Sequence, residues 1–281
     1  MGCVRMSEVD PSVLRAGLEC LLCASDVDTL RQGIELLLAL DDPSVWSLLA
    51  NGISFPAGRL TLRAGLVTER VQGSLQPQVA LFVARRAGLL DSLTELILDS
   101  SPSLLDLSPL RGLRELRRLE LSWCNRVEDL SPLGQLTGLL VLNLWDGPVV
   151  EDLAPLSTMT RLTEFGLTNS QRLVDLSPLA GLADLVSLNL IRSSALIDLT
   201  PIRGLGKLEV LTLAHCSNLS DLRPISALKR LRVLDLSHCV QVLDLNPLAN
   251  LPSLREVDLR GCSMALNLLP LTGSPHLVVR T

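Results

Sequence analysis

The chain has 281 residues, a formal net charge of −5, and 47% hydrophobic but only 2% aromatic residues, with no tyrosine. A large, aliphatic core is therefore available. The basic residues form no run or stripe, which excludes the electrostatic footprint of a nucleic-acid-binding protein. No apolar run reaches the ~18–20 residues that cross a membrane, and the N-terminus lacks the apolar segment of a secretory signal.

The seven cysteines are an odd number and, without an export signal, are interpreted as reduced thiols of a cytoplasmic protein. The start of the sequence is similar to that of dually acylated proteins, which makes Gly2 and Cys3 candidate lipidation sites. The myristoylation pattern has Ser or Thr where this chain has Met6. Cys20 and Cys23 form a CxxC inside an apolar helical pattern and are interpreted as core residues.

Residues 1–88 are predicted to be a helical N-terminal cap region, because they do not follow the period of the rest of the chain. Helices are expected to begin near Asp10, Asp26 and Asp42, since each precedes apolar residues at helical spacing. A strand is expected within 56–68 and a helix over 77–86. A function of this region beyond capping stays open.

The remainder of the chain repeats the motif Asp-Leu-x-Pro-Leu every 23 residues. The motif reads DLSPL from Asp106 and recurs, with Ile in place of the last Leu in two copies, to DLNPL from Asp244; a degenerate NLLPL begins at Asn267. The eight prolines from Pro109 to Pro270 keep this period without an insertion. Residues 89–281 are therefore predicted to form one repetitive domain of about eight coils.

One unit, LxxLxLxxCxxVxDLxPLxxLxx, resembles the leucine-rich repeat (LRR) family over about residues 93–281. Its spacing is closest to bacterial internalin-like repeats and to the short repeats of phosphatase-regulating LRR proteins, with one extra residue after the ladder position. It is also similar to the repeat tail of bacterial NACHT-type sensors. The resemblance implies an α/β fold, a right-handed curved solenoid with parallel strands on the concave face and short 3₁₀ or helical turns on the convex face.

Each position of the unit has a physical role. Leu119 and Leu121 lie two apart on a short strand and face the core, which stacking of neighbouring coils makes continuous. Ser108 is expected to cap a short helical turn that has Pro109 at its first position. The motif aspartates, stacked about one strand spacing apart, are expected to accept backbone N–H bonds or to pair with arginine. A calcium-binding acidic column is the alternative.

A second ladder follows each strand. Its members are small residues: Ser101, Cys124, Gly147, Ser170, Ser193, Cys216, Cys239 and Cys262. In the LRR family, Asn often occupies this site. Here the smaller Cys or Ser suits the one extra residue that follows the ladder position. The neighbouring His215 and His238 lie one repeat apart, but they are expected to face outward while the cysteines face inward, so no metal site is predicted. No catalytic arrangement and no cofactor are predicted.

The outward-pointing strand positions vary while the frame stays fixed, which is typical of a recognition surface. Two of the three tryptophans fall there in adjacent coils, and tryptophan is enriched at binding hot spots. The candidate partner-binding residues on the concave face are Trp123, Asn143, Trp145, Asn189, Ile191, Arg192, His215, Asp235 and His238. Solvated positions that simply drift are the alternative.

The sequence therefore favours a non-enzymatic scaffold that binds a protein partner on its concave face. Two alternatives are a sensor or regulatory component of a larger NTPase-type defence or signalling system, and an enzyme with its site in residues 1–90. The enzyme alternative lacks a histidine base, because residues 1–90 contain no histidine. Residues Leu277–Val279 are predicted to begin a ninth repeat strand, whose open edge either self-associates, is blunted by Arg280, or belongs to a fragment of a longer protein.

Overall fold

The computed structural model describes residues 59–63, 77–86, 88–99, 104–146, 150–263, 267–274 and 276–281. Ten parallel strands form one sheet in which spatial order follows chain order. The strands are β1 (Arg59–Arg63), β2 (Glu95–Asp99), β3 (Arg118–Ser122), β4 (Val141–Leu144), β5 (Glu164–Leu167), β6 (Ser187–Asn189), β7 (Val210–Thr212), β8 (Val233–Asp235), β9 (Glu256–Asp258) and β10 (Val278–Arg280). The predicted strand in 56–68 is confirmed as β1, and the ninth repeat strand as β10.

A leucine at the second position of most repeat strands points into the core, and the positions on either side point away from it. From β2 to β9 each strand pairs with the residues 23 positions later, as Leu96 pairs with Leu119. The buried core residues of all coils form one cluster. Phe165 is the one aromatic side chain among the buried hydrophobic residues that the structure describes, so the core is aliphatic, as the composition predicts.

Opposite the sheet, each coil turns through a 3₁₀ helix that begins at or near the residue before the motif proline. These helices are Ser108–Leu110, Ser131–Gln135, Ala154–Thr158, Ser177–Leu179, Thr200–Gly204, Arg223–Ala227, Asn246–Leu248 and Leu269–Leu271. The parallel sheet and the 3₁₀ turns confirm the predicted solenoid. Asn267 takes the place of the aspartate in the last coil, where its Oδ1 accepts the Leu269 N–H at 3.0 Å.

The aspartate ladder initiates these turns. In every coil from Asp106 to Asp244, one carboxylate oxygen accepts the backbone N–H two residues later at 2.7–2.9 Å. The expectation that Ser108 caps the turn is wrong: Ser108 is the first residue of the 3₁₀ helix, and both its N–H and its hydroxyl donate to Asp106. The two oxygens of the Asp106 carboxylate thus accept two separate donors of the same residue, and the charge strengthens both bonds.

The cysteine ladder joins neighbouring coils. The Sγ atoms of Cys124, Cys216, Cys239 and Cys262 donate to leucine carbonyls of the preceding coil at 3.0–3.5 Å. Ser170 and Ser193 hold the same position, but their buried hydroxyls have no hydrogen-bond partner within the described residues. The longer C–S bond of cysteine spans a gap that the C–O bond of serine leaves open. Ser101 and Gly147 lie outside the described residues.

The N-terminal end of the solenoid carries a helix. β1 pairs in parallel with β2, Arg59 opposite Glu95, and helix α1 (Pro77–Arg86) lies between them in sequence, as predicted. Leu81, Val83 and Ala84 of α1 are fully buried in the core cluster, so this helix covers apolar surface of the first coils. The remaining expectations for residues 1–58, including Gly2, Cys3, Cys20 and Cys23, lie outside the described residues.

At the other end the period slips by one residue. Val278 pairs with Glu256, 22 residues earlier, instead of 23 as in the preceding repeat strands. A 23-residue register would place Arg280 opposite the core residue Val257. The slip places Val279 there instead, packed against the core, and lets Arg280 pair with Glu256 at 2.7 Å. Within the described segments, no helix has the length and apolarity to span a membrane.

Candidate partner-binding site

One to three residues after the end of each strand from β3 to β9, the backbone adopts a left-handed conformation. This left-handed row comprises Trp123, Asp146, Asn169, Arg192, His215, His238 and Gly261, with φ between 44° and 69°. Glycine, asparagine and aspartate tolerate this region, but Trp, Arg and His do so at a cost of roughly 1–2 kcal/mol per residue. Four large side chains are therefore held where a smaller residue would be less strained.

Hydrogen bonds between coils impose that backbone conformation. The N–H groups of Trp123, Asn169, Arg192, His215 and His238 each donate to a carbonyl of the following coil at 2.8–3.0 Å. The turn into the row is braced by side chains at the end of the strands: the Oδ1 atoms of Asn189, Asp235 and Asp258 accept the backbone N–H two residues later. The left-handed row is thus a rigid part of the frame, and its side chains project from a fixed backbone.

Trp123 and Trp145 form the apolar part of the face. Their side chains are 58% and 41% exposed. The Trp145 indole extends over the next coil, because a Cβ at Gly166 would lie only 2.7 Å from its Nε1. Gly166 therefore makes room for the ring, and the tryptophan lies across the sheet with one side open to solvent.

His215 and His238 form the second part of the face. Their rings stack at a centroid distance of 4.2 Å with an angle of 7° between the ring planes. A Cβ at Gly261 would come within 2.6 Å of the His238 Cε1, so the following coil leaves space for the stack. Partial burial, together with His238 and Arg192, lowers the pKa of His215, while Asp235 opposes that shift.

The predicted partner-binding residues fall into three groups by exposure. Trp123, Trp145, Arg192, His215 and His238 are exposed. Ile191, Asn189 and Asp235 are half-buried, and the two polar ones accept backbone N–H bonds. Asn143 is only 1% exposed, and its Nδ2 donates to Glu164 at 3.1 Å. It holds Glu164 by this hydrogen bond and offers no surface to a partner.

Sequence reasoning missed a second set of exposed apolar residues. Val174, Ile197 and Leu243, each one residue before a ladder aspartate, are 57–60% exposed. The signal was present, because the same repeat position holds Glu128 and Glu151 in earlier coils. An apolar residue at a position that is charged elsewhere marks an exposed hydrophobic side chain. This column lies away from the strand face and provides matched controls for the tryptophans.

The His-Cys pairs do not form a reactive or metal-binding arrangement. Cys216 and Cys239 are buried while their neighbouring histidines are exposed, so the side chains point to opposite sides. Burial raises the pKa of Cys216 to about 11 and raises those of Cys239 and Cys262 as well, which keeps the thiols protonated. Across the described parts of the chain, no three His, Cys, Asp or Glu side chains cluster as metal ligands.

Comparison with known proteins places this fold among leucine-rich-repeat structures. An internalin (inlF) from Listeria monocytogenes is similar, with 23% identity and a TM-score of 0.53 over 70% of this chain and 63% of that one. The TLR13–ssRNA13 complex is similar at 17% identity and a TM-score of 0.51, over 70% of this chain and 34% of TLR13. A Leptospira interrogans LRR protein matches at 21% identity and a TM-score of 0.46, over 70% of this chain and 62% of that one. No family model and no curated protein matches the sequence.

Proposed function

We propose that this leucine-rich-repeat solenoid is a non-enzymatic scaffold that binds a protein partner on the outer face of its sheet, which is the concave side in such solenoids, with Trp145 at the centre of the contact. The observation that carries the proposal is the exposure of two tryptophans in adjacent coils of a rigid face. An exposed indole contributes little to the stability of a monomer, but it contributes strongly to binding once a partner excludes water from it.

The arrangement around Trp145 supports a preformed contact. The indole lies across Gly166, where the buried Asn143 also approaches, so its orientation is set before a partner arrives. A rigid anchor loses little conformational entropy on binding. The odd number of cysteines supports the cytoplasm as the proposed compartment of this scaffold, because thiols stay reduced there.

The test is affinity purification with mass spectrometry on wild-type chain and the Trp145→Ala variant. Capture of the partner should fall at least ~30-fold, corresponding to the 2 kcal/mol or more typical of a hot spot. Ile197→Ala is the matched control, because it removes a comparably exposed apolar side chain away from the strand face. Undiminished capture by Trp145→Ala overturns the proposal. A captured partner that carries a nucleotide-binding domain would instead favour the regulatory role in an NTPase-type system.

Self-association through the last coil is a second candidate contact. Leu269 and Val278 are 72% and 56% exposed there, and β10 forms the outer strand of the described sheet. An open strand edge bordered by apolar side chains is a template for pairing with a second copy. Sedimentation velocity on wild-type chain should show a dimer that Val278→Lys dissociates; a monomer at all concentrations contradicts the contact.

A further inference from the structure

We infer that Arg192, His215 and His238 form a platform that accepts carboxylates, and that the segment of the partner docking there is a short acidic stretch of polypeptide. This inference rests on the proposed protein-binding function and assigns the chemistry of one part of the contact. The three side chains occupy the left-handed row in three consecutive coils, so they lie side by side about one strand spacing apart.

Neighbouring residues fix the geometry of the platform. The two imidazoles are parallel and 4.2 Å apart, and Gly261 provides the space that the His238 ring needs. All three residues stand in a backbone conformation that glycine or asparagine would adopt with less strain. Retaining Arg and two His in such positions favours a role for their side chains over a role in the frame.

Unlike the other cationic groups of the face, the platform side chains are not paired with a carboxylate among the described residues. Arg118, Arg260 and Arg280 each pair with a nearby carboxylate, respectively Glu120, Asp258 and Glu256. By contrast, the Arg192 guanidinium and the ring nitrogens of His215 and His238 form no hydrogen bond or ion pair with the residues that the structure describes. Donors with no internal acceptor are available to an external anion.

The surrounding charges select a short acidic segment over a polyanion. Asp235, Asp258, Glu164 and Glu256 border the same face, and the chain carries a net charge of −5. A nucleic acid would bring a phosphate at every residue against these carboxylates. A polypeptide can place one or two carboxylates on the platform and neutral residues beside it, which avoids that repulsion.

The same geometry makes binding depend on pH. The charged groups on the elements around the two rings are Arg192 before them, Asp235 on β8, and Asp258 with Arg260 on the following coil. Arg192 disfavours the imidazolium form of His215, and a bound carboxylate counters that effect. An anion that favours the protonated form of His215 binds more tightly as the pH falls, and by linkage it raises the pKa of His215 to the same extent.

The test is an NMR titration of the histidine ring signals, of which the chain has three. The probe is the peptide Gly-Gly-Glu-Glu-Gly-Gly, and its control is Gly-Gly-Gln-Gln-Gly-Gly. We expect the diglutamate peptide to shift the His215 and His238 signals and to bind at least ~10-fold more tightly at pH 6 than at pH 8. His276 lies outside the platform and serves as the internal reference.

The variants Arg192→Asn, His215→Asn and His238→Asn should each weaken peptide binding, and asparagine retains the left-handed backbone. Arg203→Gln is the matched control, because it removes an exposed cation on a 3₁₀ turn. Equal shifts at His276, pH-independent affinity, or unchanged affinity of the Asn variants overturns the platform. Tighter binding of single-stranded oligouridylate than of the peptide would overturn the assignment to polypeptide. Loss of partner capture in Trp145→Ala without any peptide-induced shift would leave the scaffold function standing and remove this inference alone.

Discussion

Two rows of residues that are adjacent in sequence meet opposite constraints. The left-handed row, from Trp123 to Gly261, is mostly exposed and varied in chemistry, and its Trp, Arg and His members are strained. The ladder position immediately after it is buried and occupied in the described coils by Cys or Ser. The N–H groups of the left-handed row and the cysteine thiols of the ladder both donate to neighbouring coils, so the difference is not one of rigidity. The ladder side chain fills the space between coils and holds them together, whereas the left-handed side chain is exposed to solvent and available to a partner.

Among the substitutions in these two rows, Gly261→Ala should cause the largest loss of stability. A Cβ there would meet the His238 ring, and alanine is strained at φ 69°. The free energy of unfolding should fall by about 2–3 kcal/mol, combining left-handed strain with displacement of the ring. Urea denaturation measures the loss.

The double variant Gly261→Ala, His238→Gly provides the control for that change. It should recover the part of the loss of stability that comes from the His238 ring. A coupling energy near zero between positions 261 and 238 would contradict the close approach of that ring to Gly261.

The cysteine ladder should respond in both directions. Cys239→Ser should cost about 2 kcal/mol, because the hydroxyl would not reach the Leu213 carbonyl that Sγ contacts at 3.1 Å. Ser193→Cys should stabilise by about 1 kcal/mol, since the Ser193 hydroxyl is buried without a partner in the described structure. Equal stabilities of Cys and Ser at both positions in thermal denaturation would show that the interaction between coils is unimportant.

The aspartate ladder predicts loss of stability in acid. Hydrogen bonds from the residues two positions later lower the pKa values of Asp129, Asp175, Asp198 and Asp221. A carboxylate with a depressed folded-state pKa stabilises the fold above its unfolded value of about 3.9, and that contribution disappears as the pH falls through the folded value. Unfolding curves should therefore shift below about pH 4. Asp175→Ala should lower the stability at pH 7, because the N–H and the hydroxyl of Ser177 lose their acceptor, and it should reduce the acid sensitivity.

The smallest expected change has the opposite sign. Arg192→Gly should stabilise the chain by about 1 kcal/mol, because glycine relieves the left-handed strain and the arginine makes no internal ion pair within the described residues. The same variant should weaken binding of the diglutamate peptide. A decrease in melting temperature would mean that Arg192 is part of the frame.

Much of the fold follows from sequence, because the motif proline and aspartate recur with a fixed period and each has one physical role. The slip at β10 was not predicted, although Arg280 carried the signal: continuing the period would bury a guanidinium. The left-handed row was also missed. Asp146, Asn169 and Gly261 are the residue types that favour it, but Trp, Arg and His at the same repeat position concealed the pattern. Burial of Asn143 depends on the orientation of Trp145, which periodicity does not determine.

The most direct test of the scaffold is hydroxyl-radical footprinting of the chain with its captured partner, read by mass spectrometry. Tryptophan oxidises readily, and Trp123 and Trp145 are the exposed aromatic side chains of the described face. If the partner binds on this face, oxidation at both tryptophans falls several-fold in the complex, while Val174, Ile197 and Leu243 remain as reactive as in the free chain. Protection of that apolar column with unchanged oxidation of both tryptophans would contradict it.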